Sequence, residues 1–207
     1  MLDFLDLGCG SGGSINWGKR FGGKTHLGIG DRVDELSKAV QDGYFVMCAD
    51  ITKVEFPKVR YVTMLHVLEH LKDKNAVKKV IKKSIEAASE FVFIKGPTFE
   101  NYDYLKSLGF KITWTDWFGH PTFVTADLLE WCLKDSGLSW VYGFQYPIPD
   151  STSTEIIPYT APTDTIIYNG SLGEKPYTEF ENVYREIYCF ININCLDWER
   201  IIRTDVL

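Results

Sequence analysis

The sequence predicts an α/β sandwich in which a mostly parallel sheet of seven strands is covered by helices on both faces. Three observations point there. Short apolar or β-branched runs alternate with helix-patterned segments, as they do when parallel strands are joined by crossover helices. A glycine-rich turn, "LGCGSGG", ends the first such run and opens the first helix. The 207 residues, 45% hydrophobic and 14% aromatic, suffice for one sizeable core, so a single domain over residues 1–207 is expected.

Taken in order, "LDFLDL" is the first strand, and the glycines between 8 and 13 terminate it. Residues 14–21 form a short helix, "THLGIG" the second strand, and "VDELSKAVQDG" a helix closed by Gly43. "YFVMCAD" reads as the third strand and "VRYVTML" as the fourth. Between 73 and 88, Val77, Val80, Ile81, Ile85 and Ala88 recur at helical spacing, with lysines on the opposite, solvated face. "FVFIKG" is the fifth strand. Thr125 caps a helix carrying Leu128, Leu129, Trp131, Cys132 and Leu133, with Gly137 at its stop. "LSWVYGFQY" and "REIYCFINI" are the last two strands. Between them, residues 147–184 hold five of the eight prolines and many Ser and Thr, which reads as an ordered excursion or a flexible loop.

Composition narrows the function. A net charge of -6 and a pI near 5.3 give no general attraction to a phosphate backbone, so bulk nucleic-acid binding is disfavoured. Cys9, Cys48, Cys132, Cys189 and Cys195 are odd in number and scattered, against a disulfide framework or a CxxC zinc site. No apolar run approaches the ~18 residues of a membrane helix, and the chain opens on strand-like sequence. A cytoplasmic protein without membrane partners is expected.

Gly8, Gly10 and Gly13 satisfy GxGxxG between a strand and a helix, a spacing that also suits a dinucleotide or a bare tight turn. Asp6 tips the choice. A carboxylate there repels a pyrophosphate but accepts hydrogen bonds from an ammonium group, directly or through water. A zwitterionic ligand without phosphate fits better.

On these residues the chain resembles the class I S-adenosylmethionine-dependent methyltransferases over roughly residues 2–145, "LDLGCGSG" matching that family's first motif. The resemblance implies a Rossmann-like sheet with an antiparallel last strand. It also implies S-adenosylmethionine, with S-adenosylhomocysteine as product, at the carboxyl ends of strands one to four. In such enzymes the loop lies against the methionine moiety, an acid ending the second strand holds the ribose, and an Asp after the third reaches the adenine. Asp6, Gly8, Gly10 and Asp50 carry over, with Ile51 and Leu65 assigned to the same pocket. The ribose position departs from the pattern: the chain reads Gly28-Ile29-Gly30-Asp31, so that role is expected of Asp31. "MLHVLEHL" is a further match, to an HVLEH-containing branch that modifies small molecules and some RNA ends, and the expected acceptor is a small molecule. The chain carries neither the Asn/Asp-Pro-Pro-Tyr/Phe motif of nucleobase amino methylation nor a Pro-Cys nucleophile.

For the acceptor, Trp114, Trp117 and Phe118 precede His120 where this family often builds its pocket, although core packing explains each aromatic equally well. His66 and His120 are the candidates for base or acceptor-orienting work. His66, Glu69 and His70 fall on adjoining positions of a helical turn. "HVLEH" resembles the ExxEH metal motif of small-RNA 3′-end 2′-O-methyltransferases and of some ubiquinone-pathway O-methyltransferases, with His66 in place of Glu. A metal-free site is expected. The alternative is a divalent site of His66, Glu69, His70 and His120, suited to zinc, manganese or iron more than magnesium. Two other readings stay open. One is a non-catalytic S-adenosylmethionine-binding subunit needing a partner, motivated by Gly30 and by the lack of covering helices ahead of strand one. On that count any lid comes from residues 97–124, residues 147–184 or a partner. The other is a nicotinamide oxidoreductase, disfavoured by Asp6.

Overall fold

The computed structural model describes residues 2–203. Its strands are β1 (Leu2–Leu7), β2 (His26–Gly30), β3 (Val46–Cys48), β4 (Val59–Leu65), β5 (Ala88–Pro97), β6 (Phe110–Ile112), β7 (Ser139–Pro147), β8 (Ile156–Pro158) and β9 (Tyr184–Asn192). The α-helices are α1 (Gly13–Gly18), α2 (Val33–Gln41), α3 (Lys74–Ala87), α4 (Tyr102–Ser107), α5 (Ala126–Leu133) and α6 (Trp198–Ile201). Seven strands form one sheet in the order β3-β2-β1-β4-β5-β9-β7. Strands β1 to β5 pair in parallel, and β9 is antiparallel to both β5 and β7.

Strand periodicity divides the core in two, because successive side chains leave opposite faces of a strand. One face is aliphatic, with Leu5 and Leu7, Val62 and Met64, Val92 and Ile94, and it is covered by α3 and α5 through Val77, Val80, Ile81 and Leu129. The other is aromatic, with Phe4, Tyr61, Phe91, Phe93 and Phe190, and it is covered by α1, α2 and α6 through Ile15, Leu36 and Ile201. Across that face the rings of Phe4 and Tyr61 stack at 5.1 Å, Tyr61 and Phe91 at 4.8 Å, and Phe91 and Phe190 at 4.8 Å. Such cross-strand pairs reinforce the register that the backbone ladder sets.

The α3 helix begins where Asp73 accepts a hydrogen bond from the Ala76 N–H at 2.8 Å, and α5 where the Thr125 hydroxyl accepts from the Leu128 N–H at 3.2 Å. Several lysines of α3 do more than face water. Lys78 lies 4.4 Å above the Trp131 ring of α5, and Lys83 donates to the Ile51 and Val54 carbonyls in the segment after β3.

Residues 147–184 form an ordered excursion. Strand β8 pairs antiparallel with β6, and Ile148, Ile156 and Val183 pack with Leu105, Phe110 and Ile112 in a third apolar cluster. The excursion and the segment after β5 thus share a small core beside the main sheet. Helix α4 and strands β6 and β8 were not anticipated. The two strands have three residues each, too few to show an alternating pattern. Among the described residues no helix is long and apolar enough to cross a membrane.

Ile156 is fully buried in the third cluster, so Ile156→Ala is expected to cost about 2–5 kcal/mol there. Amide exchange should speed up across residues 105–112 while β1, β4 and β5 keep their protection; uniform loss across all of them would mean the third cluster is no separate unit.

Candidate functional site

Strand order reverses between β1 and β4, so the chain leaves their carboxyl ends in opposite directions and a crevice opens there. Its floor is glycine backbone. At Gly8, φ is +71° and a Cβ would stand 2.4 Å from Cγ2 of Val67; at Gly10, φ is +48° and a Cβ would meet the Glu35 carboxylate at 2.9 Å. Neither position accepts another residue without strain. The Gly8 and Cys9 N–H groups donate to the Ile29 carbonyl at 2.7 and 3.2 Å, which ties the loop to β2.

The resulting cavity, of about 560 Å³, is walled by four groups of residues: Gly30, Asp31, Arg32, Glu35 and Leu36; Ala49, Asp50 and Ile51; His66, Val67, Glu69, His70 and Leu71; and Trp117 with His120. Gly8, Gly10, Asp31, Asp50, Ile51, His66 and His120 are therefore brought together as the sequence suggests. Asp6 and Leu65 lie outside the wall. Leu65 packs against the aromatic cluster. Asp6 is 0% exposed; it accepts hydrogen bonds from the Ser14 hydroxyl at 2.5 Å and the Thr63 hydroxyl at 2.6 Å. Burial pushes its carboxyl up to about 7 against the pull of those two hydroxyls. Asp6 thus stands beneath the glycine loop, joining β1, β4 and α1.

One end of the cleft carries carboxylates. Asp50 accepts from the Thr52 N–H and hydroxyl at 2.9 and 2.6 Å and pairs with Lys53 at 2.8 Å. Lys53 and Thr52 together hold it well below the usual carboxylate range. It both caps the turn after β3 and faces the cleft. Asp31 is exposed at the rim. Glu35, in the first turn of α2, pairs with Arg32 at 2.9 Å and leans over Gly10. Sequence reasoning missed Glu35, because within "VDEL" it is indistinguishable from any helix-surface acid.

The other end is a histidine wall. His66, just past β4, has φ +54° and donates its backbone N–H to the Lys95 carbonyl at 2.8 Å. Its Nε2 lies 3.0 Å from Oε1 of Glu186 on β9, and Glu186 pairs with Lys95 at 2.9 Å. The bond to Glu186 raises the His66 pKa, outweighing burial. Burial alone would lift Glu186, but His66 and Lys95 hold it below its ordinary value. Glu69 is 1% exposed, and burial raises its carboxyl. Its Oε1 has no hydrogen-bond partner among the described residues and lies 3.8 Å from both His66 Nδ1 and His70 Nε2. His70 Nδ1 sits 2.7 Å from the Gly119 carbonyl and His120 Nδ1 3.0 Å from that of Trp114. A carbonyl only accepts, so both rings carry a proton on Nδ1 and, in the neutral form, present the Nε2 lone pair. Burial lowers the His120 pKa, which favours the neutral ring.

One ligand atom each of Glu69, His70 and His120 lies within 4.8 Å of the others. His66 is not part of that group; it turns to Glu186. Trp117 sets its ring edge-on to His120 at 4.6 Å. Of the other aromatics in that segment, Trp114 packs between the first and third clusters, and Phe118 is 79% exposed.

Residues 5–93 match the family model described as a methyltransferase domain. No curated protein sequence matches the chain. Among solved structures, a SAM-dependent methyltransferase from Archaeoglobus fulgidus is 15% identical, with a TM-score of 0.61 over 92% of this chain and 86% of that one. An S-adenosylmethionine-dependent methyltransferase from Clostridium acetobutylicum is 13% identical, with a TM-score of 0.58 over 93% and 84%. The magnesium protoporphyrin IX methyltransferase of Synechocystis, with SAH bound, is 18% identical, with a TM-score of 0.57 over 92% and 74%. At such identities the likeness is one of fold. The sheet, mostly parallel with one antiparallel strand, is the Rossmann-like sheet of the S-adenosylmethionine-dependent methyltransferases.

The raised Asp6 pKa has a stability consequence. Between the ordinary carboxylate value of about 3.9 and about 7, the folded chain keeps a proton that the unfolded chain has lost, so stability falls as pH rises through that window. Asp6→Asn lacks the titration. Urea unfolding at pH 4, 5.5 and 7.5 should show the variant gaining on the wild type as pH rises; a constant difference would remove Asp6 from the pH dependence.

Proposed function

We propose that this protein is an S-adenosylmethionine-dependent methyltransferase whose acceptor is a small molecule. The observation that carries the reading is the division of one cleft: glycine backbone as floor, Asp31, Glu35 and Asp50 toward one end, and His66, Glu69, His70, His120 and Trp117 toward the other. The cradle fits the cofactor. Bare backbone at Gly8 and Gly10 keeps the floor open, and three carboxylates suit an ammonium group and ribose hydroxyls while opposing the pyrophosphate of a nicotinamide dinucleotide. When bound, the cofactor supplies a methyl group on a positively charged sulfonium, which leaves as neutral S-adenosylhomocysteine. The remaining work is alignment and, for an O–H or N–H acceptor, removal of a proton. Neutral His120 offers an Nε2 lone pair to orient such a group, and Trp117 offers a flat apolar wall. A volume of about 560 Å³ falls within the range of small-molecule sites, roughly 300–1,000 Å³.

A second reading rests on Glu69. A buried carboxylate oxygen without a partner, beside two imidazoles whose Nδ1–H groups are tied to carbonyls, is also an arrangement that holds a divalent cation. One oxygen and two nitrogens favour zinc, manganese or iron over magnesium. Glu69, His70 and His120 would be the ligands and His66 would stand outside.

Calorimetry should show binding of S-adenosylhomocysteine and none of NADH, and Gly10→Val should abolish it with an unchanged circular dichroism spectrum. Asp31→Ala and Glu35→Ala separate the two candidates for the ribose; the one that holds it should lose about 1–3 kcal/mol of affinity, the range for a hydrogen bond to a charged group. An unaffected Gly10→Val variant would sink the placement of the cofactor.

His120→Ala should lower turnover without weakening S-adenosylhomocysteine binding. Dialysis against EDTA then separates the two readings: activity lost and restored by zinc or manganese establishes the metal, whereas full retention eliminates it.

A further inference from the structure

We propose that Glu186 on β9, gripped by Lys95 on β5, is a positioning residue that holds His66 in the tautomer whose Nδ1 faces the cleft bare and able to take the acceptor's proton. The inference deepens the methyltransferase reading and rests on it.

Three observations carry it. Ionised Glu186 can only accept hydrogen bonds, so the 3.0 Å contact with His66 Nε2 places the imidazole proton on Nε2. Nδ1 is then left as a lone pair on the side of Glu69, in the cleft wall. Glu186 is itself fixed: its side chain is 17% exposed, that of Lys95 is 11% exposed, and they pair at 2.9 Å. The third observation is the backbone. His66 and Tyr146 have φ of +54° and +58°, a conformation strained for non-glycine residues that gathers at functional sites. Both flank this pair, since the Lys95 ammonium lies 4.9 Å from the centre of the Tyr146 ring. The strained turn at His66 aims the ring between Glu186 and the cleft, where an extended residue would continue the strand.

The arrangement follows the logic of a carboxylate orienting a histidine base. The acceptor's proton passes to Nδ1 as its lone pair is committed to the methyl carbon. The imidazolium so formed keeps its Nε2–H on Glu186, which stabilises the positive charge. Lys95 gives the device a specific weakness. In Glu186→Gln, the positive charge of Lys95, 2.9 Å from Oε2 in the wild type, attracts the amide oxygen and repels the amide NH₂, which turns the NH₂ toward Nε2. His66 must then accept at Nε2 and carry its proton on Nδ1, where it can no longer act as a base.

The tautomer can be read by ¹⁵N NMR of histidine-labelled, EDTA-treated protein at pH 8, with the His66 signals assigned by their loss in His66→Gln. No cofactor or acceptor is present, so the outcome is independent of whether the chain transfers methyl groups. Wild-type His66 should show a protonated Nε2 and a bare Nδ1. Glu186→Gln should invert this, and Glu186→Gln combined with Lys95→Met, which frees the amide to rotate, should restore it. In turnover, Glu186→Gln should lower kcat by about 10²-fold or more, with the affinity for S-adenosylhomocysteine unchanged. A wild-type His66 protonated at Nδ1, or a Glu186→Gln variant with an unaltered tautomer, overturns the proposal whether or not the variant is fully stable. Equal loss of kcat and of S-adenosylhomocysteine affinity does so as well, since it would make Glu186 structural.

Discussion

The cleft exists because the loop leaving β1 passes under the loop leaving β4 with no side chain between them. Gly8 meets Val67 there at a distance that no Cβ survives. Every later feature depends on that contact. It sets how far the glycine floor lies from His66 and Glu69, and it is held from below by Asp6, which reaches Thr63 on β4 and Ser14 on α1. A carboxylate buried on an aromatic face is costly unless its lone pairs are used, and Asp6 uses both oxygens to lock the two strands whose divergence makes the crevice.

The two faces of the sheet share the remaining work. The aromatic face stacks Phe4, Tyr61, Phe91 and Phe190 across β1, β4, β5 and β9, so the antiparallel strand is registered against the parallel ones by the same rings that close the core. That register matters at the far end of β9, where Glu186 lies opposite Pro97 and within reach of His66. On the aliphatic side, Lys83 of α3 grips the carbonyls of Ile51 and Val54 and so steadies the turn that presents Asp50.

Most of the sheet was legible in the sequence. The first five strands, α2, α3 and the Thr125-capped α5 each carry a periodicity or a cap that survives into the structure. Cleft positions were legible wherever a local motif marks them, as at Gly8, Gly10, Asp50 and His66. The rest was set by packing. Nothing local distinguishes Glu35 from a solvated helix acid until α2 is laid over Gly10. Glu186 reads only as the polar opening of a strand, and its partnership with His66 spans 120 residues of sequence. Asp6 shows the opposite limit. Its position was evident, but whether its carboxylate faced the ligand or the core depended on Ser14 and Thr63, whose hydroxyls point inward only in the folded chain.

The third apolar cluster has a consequence for how such a protein can change. Trp117 and His120 sit on a segment that packs on one side against the main sheet and on the other, through Trp114, against the small core of Phe110, Ile112 and Ile156. That small core therefore touches the Trp117–His120 end of the cleft through Trp114, whereas the glycine floor and the carboxylate end rest on the main sheet. The two ends of the cleft are thus supported by different cores, and a change in one core need not be transmitted to the other end.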